Sequence, residues 1–242
     1  MIFIDCREGL SADMLLSALL GLVPAEKRTD IQPLMGSAAS KLGLGLTLMD
    51  IHDGRESGIG ISYSTKRQEF EEVSYEEALA MQEGIAKDLH STSALPRKIL
   101  GHIFDAEAEA HGIPKERVHL HEIGRPQAMF NIACIGLVHS ELEAAGAGEF
   151  VASTITTGKG IIVVSHGAVR VPAPASKILL RGLKHEVGDD PGERATPTGI
   201  ASVKAMIARQ SDDALLESRA KGIGFGTKRF GGRLGRTTVF WV

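Results

Sequence analysis

MIFIDCREGLSADMLLSALLGL, residues 1–22, decides the architecture. Residues 1–5 form an apolar run closed by Asp5, the pattern of a short buried strand. Residues 12–22 carry apolar side chains at helical spacing behind Ser11, a residue suited to an N-cap. The stretch Cys6-Arg7-Glu8-Gly9-Leu10 is then a strand-to-helix loop, and Asp5 and Asp13 flank it. Carboxylates at the end of a strand suit general acid–base work or Mg²⁺ binding. Equally, Asp13 is a favourable charge in a helix's first turn and Asp5 a turn cap. Cys6 is open to use as a soft ligand, although free cysteines are most often buried and inert.

Outward from this unit, helical patterns are expected over 31–43, 74–89, 96–110 and 126–145, a short one to 180, and another over 199–209. Strands are expected near 45–52, 59–64, 149–156, 160–165, 183–187, 217–225 and 236–241. An acidic loop should precede Thr196. Strands and helices interleave irregularly, so the expected fold is α+β: a mixed sheet with helices packed on it. The helix over 96–110 ends at the stop signal His111-Gly112 with Pro114 beyond it, and a subdomain division near residue 115 is open, with only a short linker to serve it.

Bulk properties exclude several functions. The 242-residue chain carries a formal net charge of −3, no footprint for nucleic acid. Aromatic residues make up only 5%, too few for base-stacking platforms. No run reaches the roughly 18 uncharged residues that a membrane span needs, and there is no leader pattern. Two isolated cysteines, Cys6 and Cys134, make neither a disulfide framework nor a zinc ribbon. A cytoplasmic location is expected.

Val118-His119-Leu120-His121-Glu122-Ile123-Gly124 concentrates the chemistry. In an extended segment alternate side chains share a face, so His119 and His121 point one way and Glu122 the other. A helix would separate the two imidazoles by about 200°, so chelation requires the extended form. Imidazole pairs suit nickel, zinc, copper and iron. The plainer alternative is that both histidines cap turns.

Other segments also have two readings. Thr157-Gly158-Lys159-Gly160 lacks the Walker spacing, and a glycine hairpin explains it equally well. His166, ahead of the rigid Val171-Pro172-Ala173-Pro174, is either a third imidazole or structural. Thr196-Pro197-Thr198-Gly199 opens a helix whose free N–H groups can hold a phosphate, or the threonines are N-caps. Lys228, Arg229, Arg233 and Arg236 alternate with glycines, as a phosphate clamp or a solvated turn.

Five of these segments, in order, resemble the nickel-insertion family of nickel-pincer cofactor synthesis, LarC: DCREGLSADM at 5–14, VHLHEIG at 118–124, SHGAVRVPAPAS at 165–176, ERATPTG at 193–199 and GIGFGTKRFGGR at 222–233. The resemblance implies CTP-dependent placement of nickel into a pyridinium bis-thiocarboxylate mononucleotide, with magnesium or manganese accompanying CTP. It implies nickel ligation by His119, His121 and His166, acid–base roles for Glu122, Asp5 and Asp13, and nucleotide contact at Thr196, Thr198 and Gly199. It also implies lyase-type chemistry and oligomeric assembly, with a homo-oligomer the simplest case. Three departures stand out. Ala12 replaces a usual glycine; Gln127, Ala128 and Asn131 replace an Asp-Ser-x-x-Asp pattern; and typical members continue into a C-terminal domain that supplies nucleotide and metal binding. Amides are weak ligands and not bases. The chain is therefore expected to work with a separate C-terminal-domain chain or a complete relative. The competing expectations are a catalytically silent metal- or partner-binding scaffold and, third, a nucleotide hydrolase using the helix start at Thr196.

Overall fold

The computed structural model describes residues 1–65, 72–120, 123–164, 167–213 and 218–242. In chain order the elements are β1 (Ile2–Asp5), α1 (Ala12–Leu22), α2 (Ala25–Lys41), β2 (Leu44–Asp53), β3 (Glu56–Thr65), β4 (Val73–Ser74), α3 (Tyr75–Asp88) and α4 (Leu95–His111). There follow β5 (His119–Leu120), α5 (Pro126–Ala144), β6 (Phe150–Ala152), β7 (Ile155–Lys159), β8 (Ile161–Val164), β9 (Gly167–Arg170) and α6 (Pro174–Leu179). The chain closes with β10 (His185–Pro191), α7 (Pro197–Met206), β11 (Arg209–Gln210), β12 (Ala220–Phe230) and β13 (Arg233–Trp241). The fold is α+β, with helices packed on a mixed seven-stranded sheet of order β11-β6-β1-β13-β12-β3-β2. Pairing runs parallel in β1–β6, β6–β11 and β12–β3, and antiparallel in β1–β13, β12–β13 and β2–β3. Five strands (β1, β3, β6, β11, β12) therefore share one direction, and their carboxyl ends lie along one edge.

β1 is central because it is apolar on both faces: Ile2, Phe3 and Ile4 are all buried. α1 lies directly on the backbone of β12. Gly222, Gly224 and Gly226 alternate along that strand and present one bare face. A Cβ at Gly224 would stand 1.8 Å from the Met14 carbonyl oxygen, one at Gly222 2.1 Å from that of Ala18, and one at Gly226 2.9 Å from Met14 Sδ. Ile223 and Phe225 point to the other side and are buried there. The apolar core is one continuous cluster with residues from either side of position 115.

Several local expectations fail for tertiary reasons. β7 does not form a hairpin with β8; it pairs in parallel with β10, while β8 pairs with β9. Gly158 is needed for that packing, since a Cβ there would stand 1.6 Å from the Gly192 oxygen. The expected acidic loop is largely strand, with Asp189 and Asp190 in β10. The basic glycine-rich segment is the β12–β13 hairpin, turned by Gly231 and Gly232 at φ +56° and +80°. Among the described residues no helix is long and apolar enough to cross a membrane.

Gly224→Ala is expected to destabilise the protein by about 2 kcal/mol or more, because backbone rather than a flexible side chain must yield. Gly36→Ala, at an exposed position of α2 with nothing within 4 Å, should instead stabilise by about 0.5–1 kcal/mol. Urea melts of both variants check the contrast; similar shifts in the two would contradict it.

Candidate functional site

The carboxyl edge gathers segments far apart in sequence. The loop after β1 is tied to residues 194–196 by Leu10 N–H to the Arg194 oxygen at 3.0 Å and Thr196 N–H to the Leu10 oxygen at 2.8 Å. It is tied to β13 by Arg236 N–H to the Glu8 oxygen at 3.1 Å and the Thr237 hydroxyl to the Gly9 oxygen at 2.9 Å. The Arg236 guanidinium, only 10% exposed, pairs with the Glu8 carboxylate. Residues 5–14, 193–199 and 226–237 thus form one body.

Within it the carboxylates are engaged. Asp5 accepts from Arg7 through the backbone N–H at 3.1 Å, Nε at 2.8 Å and Nη2 at 2.7 Å, a bidentate pair. Any role for Asp5 as base or ligand requires Arg7 to move. The Ser11 hydroxyl donates to Asp13 rather than capping α1. Cys6 is fully buried; burial first, and then the charge of Asp5, push its thiol far above the ordinary value. It is therefore a neutral core thiol. Sequence reasoning missed Asp212, just beyond β11. Thr154 donates to it through the backbone N–H and the hydroxyl, both at 2.7 Å, which holds its carboxyl below the usual range. An Asp after a two-residue strand carries no sequence signal strong enough to single it out.

The Tyr63 hydroxyl near the end of β3 donates to Asn131 Oδ1 on α5, and the Tyr63 ring meets Phe130 edge-on at 6.0 Å. Burial, followed by Cys134 and Asp13, raises the Tyr63 pKa, so the phenol stays protonated as the donor. At the far end of α5, His139 stacks on Phe150 at the start of β6, with ring centroids 4.5 Å apart. α5 therefore descends from the carboxyl edge to the amino edge. Its first turn, reached directly from the histidine segment, belongs to the carboxyl edge. One turn before Asn131, Gln127 Oε1 is buried without a partner.

His119 is exposed on β5, opposite Ser74 of β4. Ser74 and Glu77 form a reciprocal cap on α3, and the Ser74 donors hold the Glu77 carboxyl below its usual range. His121, Glu122 and His166 lie outside the described residues. Thr196 caps α7, its hydroxyl accepting from Gly199 N–H at 3.2 Å and lying 3.1 Å from that of Thr198. Gly199 packs against the 9–11 loop, where a Cβ would stand 2.7 Å from the Leu10 oxygen. Among the described residues no three His, Cys, Asp or Glu side chains form a group that could hold a metal.

Residues 2–238 match the family model described as nickel insertion protein. A Geotalea daltonii protein provisionally named for nickel insertion is 32% identical over 236 residues, covering 95% of this chain and 57% of the relative. The pyridinium-3,5-bisthiocarboxylic acid mononucleotide nickel insertion protein of Staphylococcus saprophyticus is 30% identical over 241 residues, 95% of this chain and 56% of the relative. That of Staphylococcus epidermidis is 30% identical over 240 residues with the same coverage. The chain thus spans little more than half the length of these relatives. No solved structure matches.

The Tyr63–Asn131 contact yields a test of charge at this edge. Asn131→Asp would place a carboxylate in a position only 6% exposed, bonded to the Tyr63 hydroxyl that the charge of Asp13 reaches. Burial and the like charge should raise its folded pKa above the unfolded ~3.9. The variant should match the parent most closely below that unfolded pKa. It should lose about 1–3 kcal/mol as pH rises through the raised folded pKa. Urea melts from about pH 3 to 8 check this; a pH-independent difference from the parent would contradict it.

Proposed function

Because this chain belongs to the nickel insertion protein family, we propose that it binds nickel as cargo and takes part in inserting it into a pyridinium bis-thiocarboxylate mononucleotide. That substrate is the one in the names of its staphylococcal relatives. The observation that carries the reading is the course of α5. It runs from the edge holding Asp5 and Asp13 down to Phe150, so the residues that enter it come from that edge.

In this reading His119, His121 and His166 hold nickel, for which imidazole is a suitable ligand. Insertion is ligand exchange: imidazole nitrogens give way to the substrate's softer sulfur donors. Glu122 accepts protons released as ligands bind the metal. Asp13 steers the cation, and Asp5 joins when Arg7 is drawn to the substrate's anionic groups. Thr196, Thr198 and Gly199 contact the nucleotide moiety. The reaction is lyase-type. CTP, with magnesium or manganese, and its binding elements come from the region that the relatives have beyond the matched part, in the same chain or a separate one. A cytoplasmic homo-oligomer is the working assembly.

A scaffold reading is favoured by one observation: at positions 127 and 131 the chain has amides, one of them already bonded to Tyr63. Nickel binding separates the two. By equilibrium dialysis the parent should retain nickel above background, and His119→Ala with His121→Ala should weaken it at least about tenfold, or ~1.4 kcal/mol. No retention by the parent, or equal retention by the variant, would leave the scaffold reading in its place.

A further inference from the structure

At the opposite, amino edge of the sheet, the end of α1, the first turns of α2, the end of β2 and the starts of β3 and β12 enclose a cleft of about 310 Å³. Its floor is Ile59 with the bare backbone of Gly222, its polar side chains are Arg28, Asp50, His52 and Ser57, and Lys221 and Ile223 line it from β12 with their side chains directed to the other face. None of these belongs to the site at the carboxyl edge.

Arg28 is the unusual member. Its Nη2 donates to the Val23 oxygen at 3.0 Å, at the end of α1, and its Nε–H is buried without a partner. No carboxylate pairs with Arg28 among the described residues. A guanidinium anchored by a single carbonyl keeps donors for a planar or tetrahedral oxyanion. Lys221 lines the cleft from β12, but its side chain is directed to the other face of the sheet and pairs with Glu56 at 2.7 Å. His52 Nδ1 is bonded to the Ser57 hydroxyl at 2.8 Å, which leaves Nε2 for a ligand. Asp50, two residues before His52 on β2, points to the same side of that strand.

Charge decides what fits. Lys221 is already paired with Glu56, which lies outside the lining, so the charges left facing the cleft are Arg28 and Asp50. A bare anion gains little from such a field. A ligand that offers an oxyanion to Arg28 and hydroxyl donors to Asp50 satisfies both signs, as an acidic side chain does with ribose hydroxyls beside a phosphate site. The volume lies at the lower end for small-molecule sites.

We propose that this cleft binds a small phosphorylated polyol, a pentose phosphate in size and chemistry. The phosphate meets Arg28, with His52 beside it, and the vicinal hydroxyls donate to Asp50. The site is independent of the nickel reading and would persist if that reading failed.

Ribose 5-phosphate, inorganic phosphate and ribose are the probes, measured by isothermal titration against the whole chain. Ribose 5-phosphate should bind at least about tenfold more tightly than either fragment. Arg28→Gln should weaken it about tenfold or more, Arg28→Lys less, and Asp50→Asn should remove its advantage over inorganic phosphate. Circular dichroism and nickel retention should stay at parental values in all three variants, since these side chains line an open cleft. No heat from ribose 5-phosphate at about 10 mM, or binding that Arg28→Gln and Arg28→Lys leave unchanged, would overturn the proposal. Phosphate binding as tightly as the sugar phosphate would overturn the role of Asp50.

Discussion

The backbone-to-backbone contact between α1 and β12 is the constraint on which the rest of the molecule depends. Helices usually stand about 10 Å from a sheet, with side chains from both filling the gap. Here three alternating glycines remove one layer, and the helix carbonyls of Met14 and Ala18 sit against the strand itself. The strand's other face still buries Ile223 and Phe225, so β12 remains anchored in the sheet. Lowering α1 in this way pulls the loop before it down between β13 and residues 194–196. There, backbone hydrogen bonds rather than side-chain packing set its position. Three of the chain's notable sequence segments thereby acquire fixed relations to one another.

The electrostatics of that edge follow from the same closeness. Asp5 with Arg7, Glu8 with Arg236, and Arg194 with Asp190 are each paired within a few residues of the loop contacts. Arg194 also lies over the Phe230 ring at 4.7 Å, and Asp190 accepts from Gly231 N–H at 2.9 Å, so the hairpin joins the network. Such pairing is weak evidence of stability, because desolvation offsets much of the attraction. Its consequence is positional: each carboxylate is held in one geometry, and a bound cation would have to displace an existing partner.

Much of this was legible in the sequence, for identifiable reasons. The strand-loop-helix at residues 1–22 and the long apolar helix from Pro126 follow from periodicity and terminal signals. The extended state at His119 also holds, over β5. Non-local pairing was not legible. Thr157 to Gly160 reads locally as a hairpin because its glycines suit a turn, yet Gly158 serves the approach of Gly192, 34 residues away. Asp189 and Asp190 read as a loop because acidic residues are poor strand formers, but they lie in the irregular stretch of β10 between its β7 pairings at Val187 and Pro191. Tyr63 and Asn131 carry no pattern that joins them; only the crossing of α5 over the end of β3 does. The cleft around Arg28 draws on five elements and leaves no local trace.

The central claim is that the sheet's carboxyl edge, with the segment entering α5, is where nickel is held. A crystal of the nickel-soaked protein, measured above and below the nickel absorption edge, locates the metal without reference to activity. The account predicts one dominant anomalous peak beside the carboxyl ends of β1 and β3, with His119 nitrogen at about 2.0–2.2 Å from the metal. A peak confined to the amino edge, or on surface histidines such as His52 or His111 with none near His119, would contradict it.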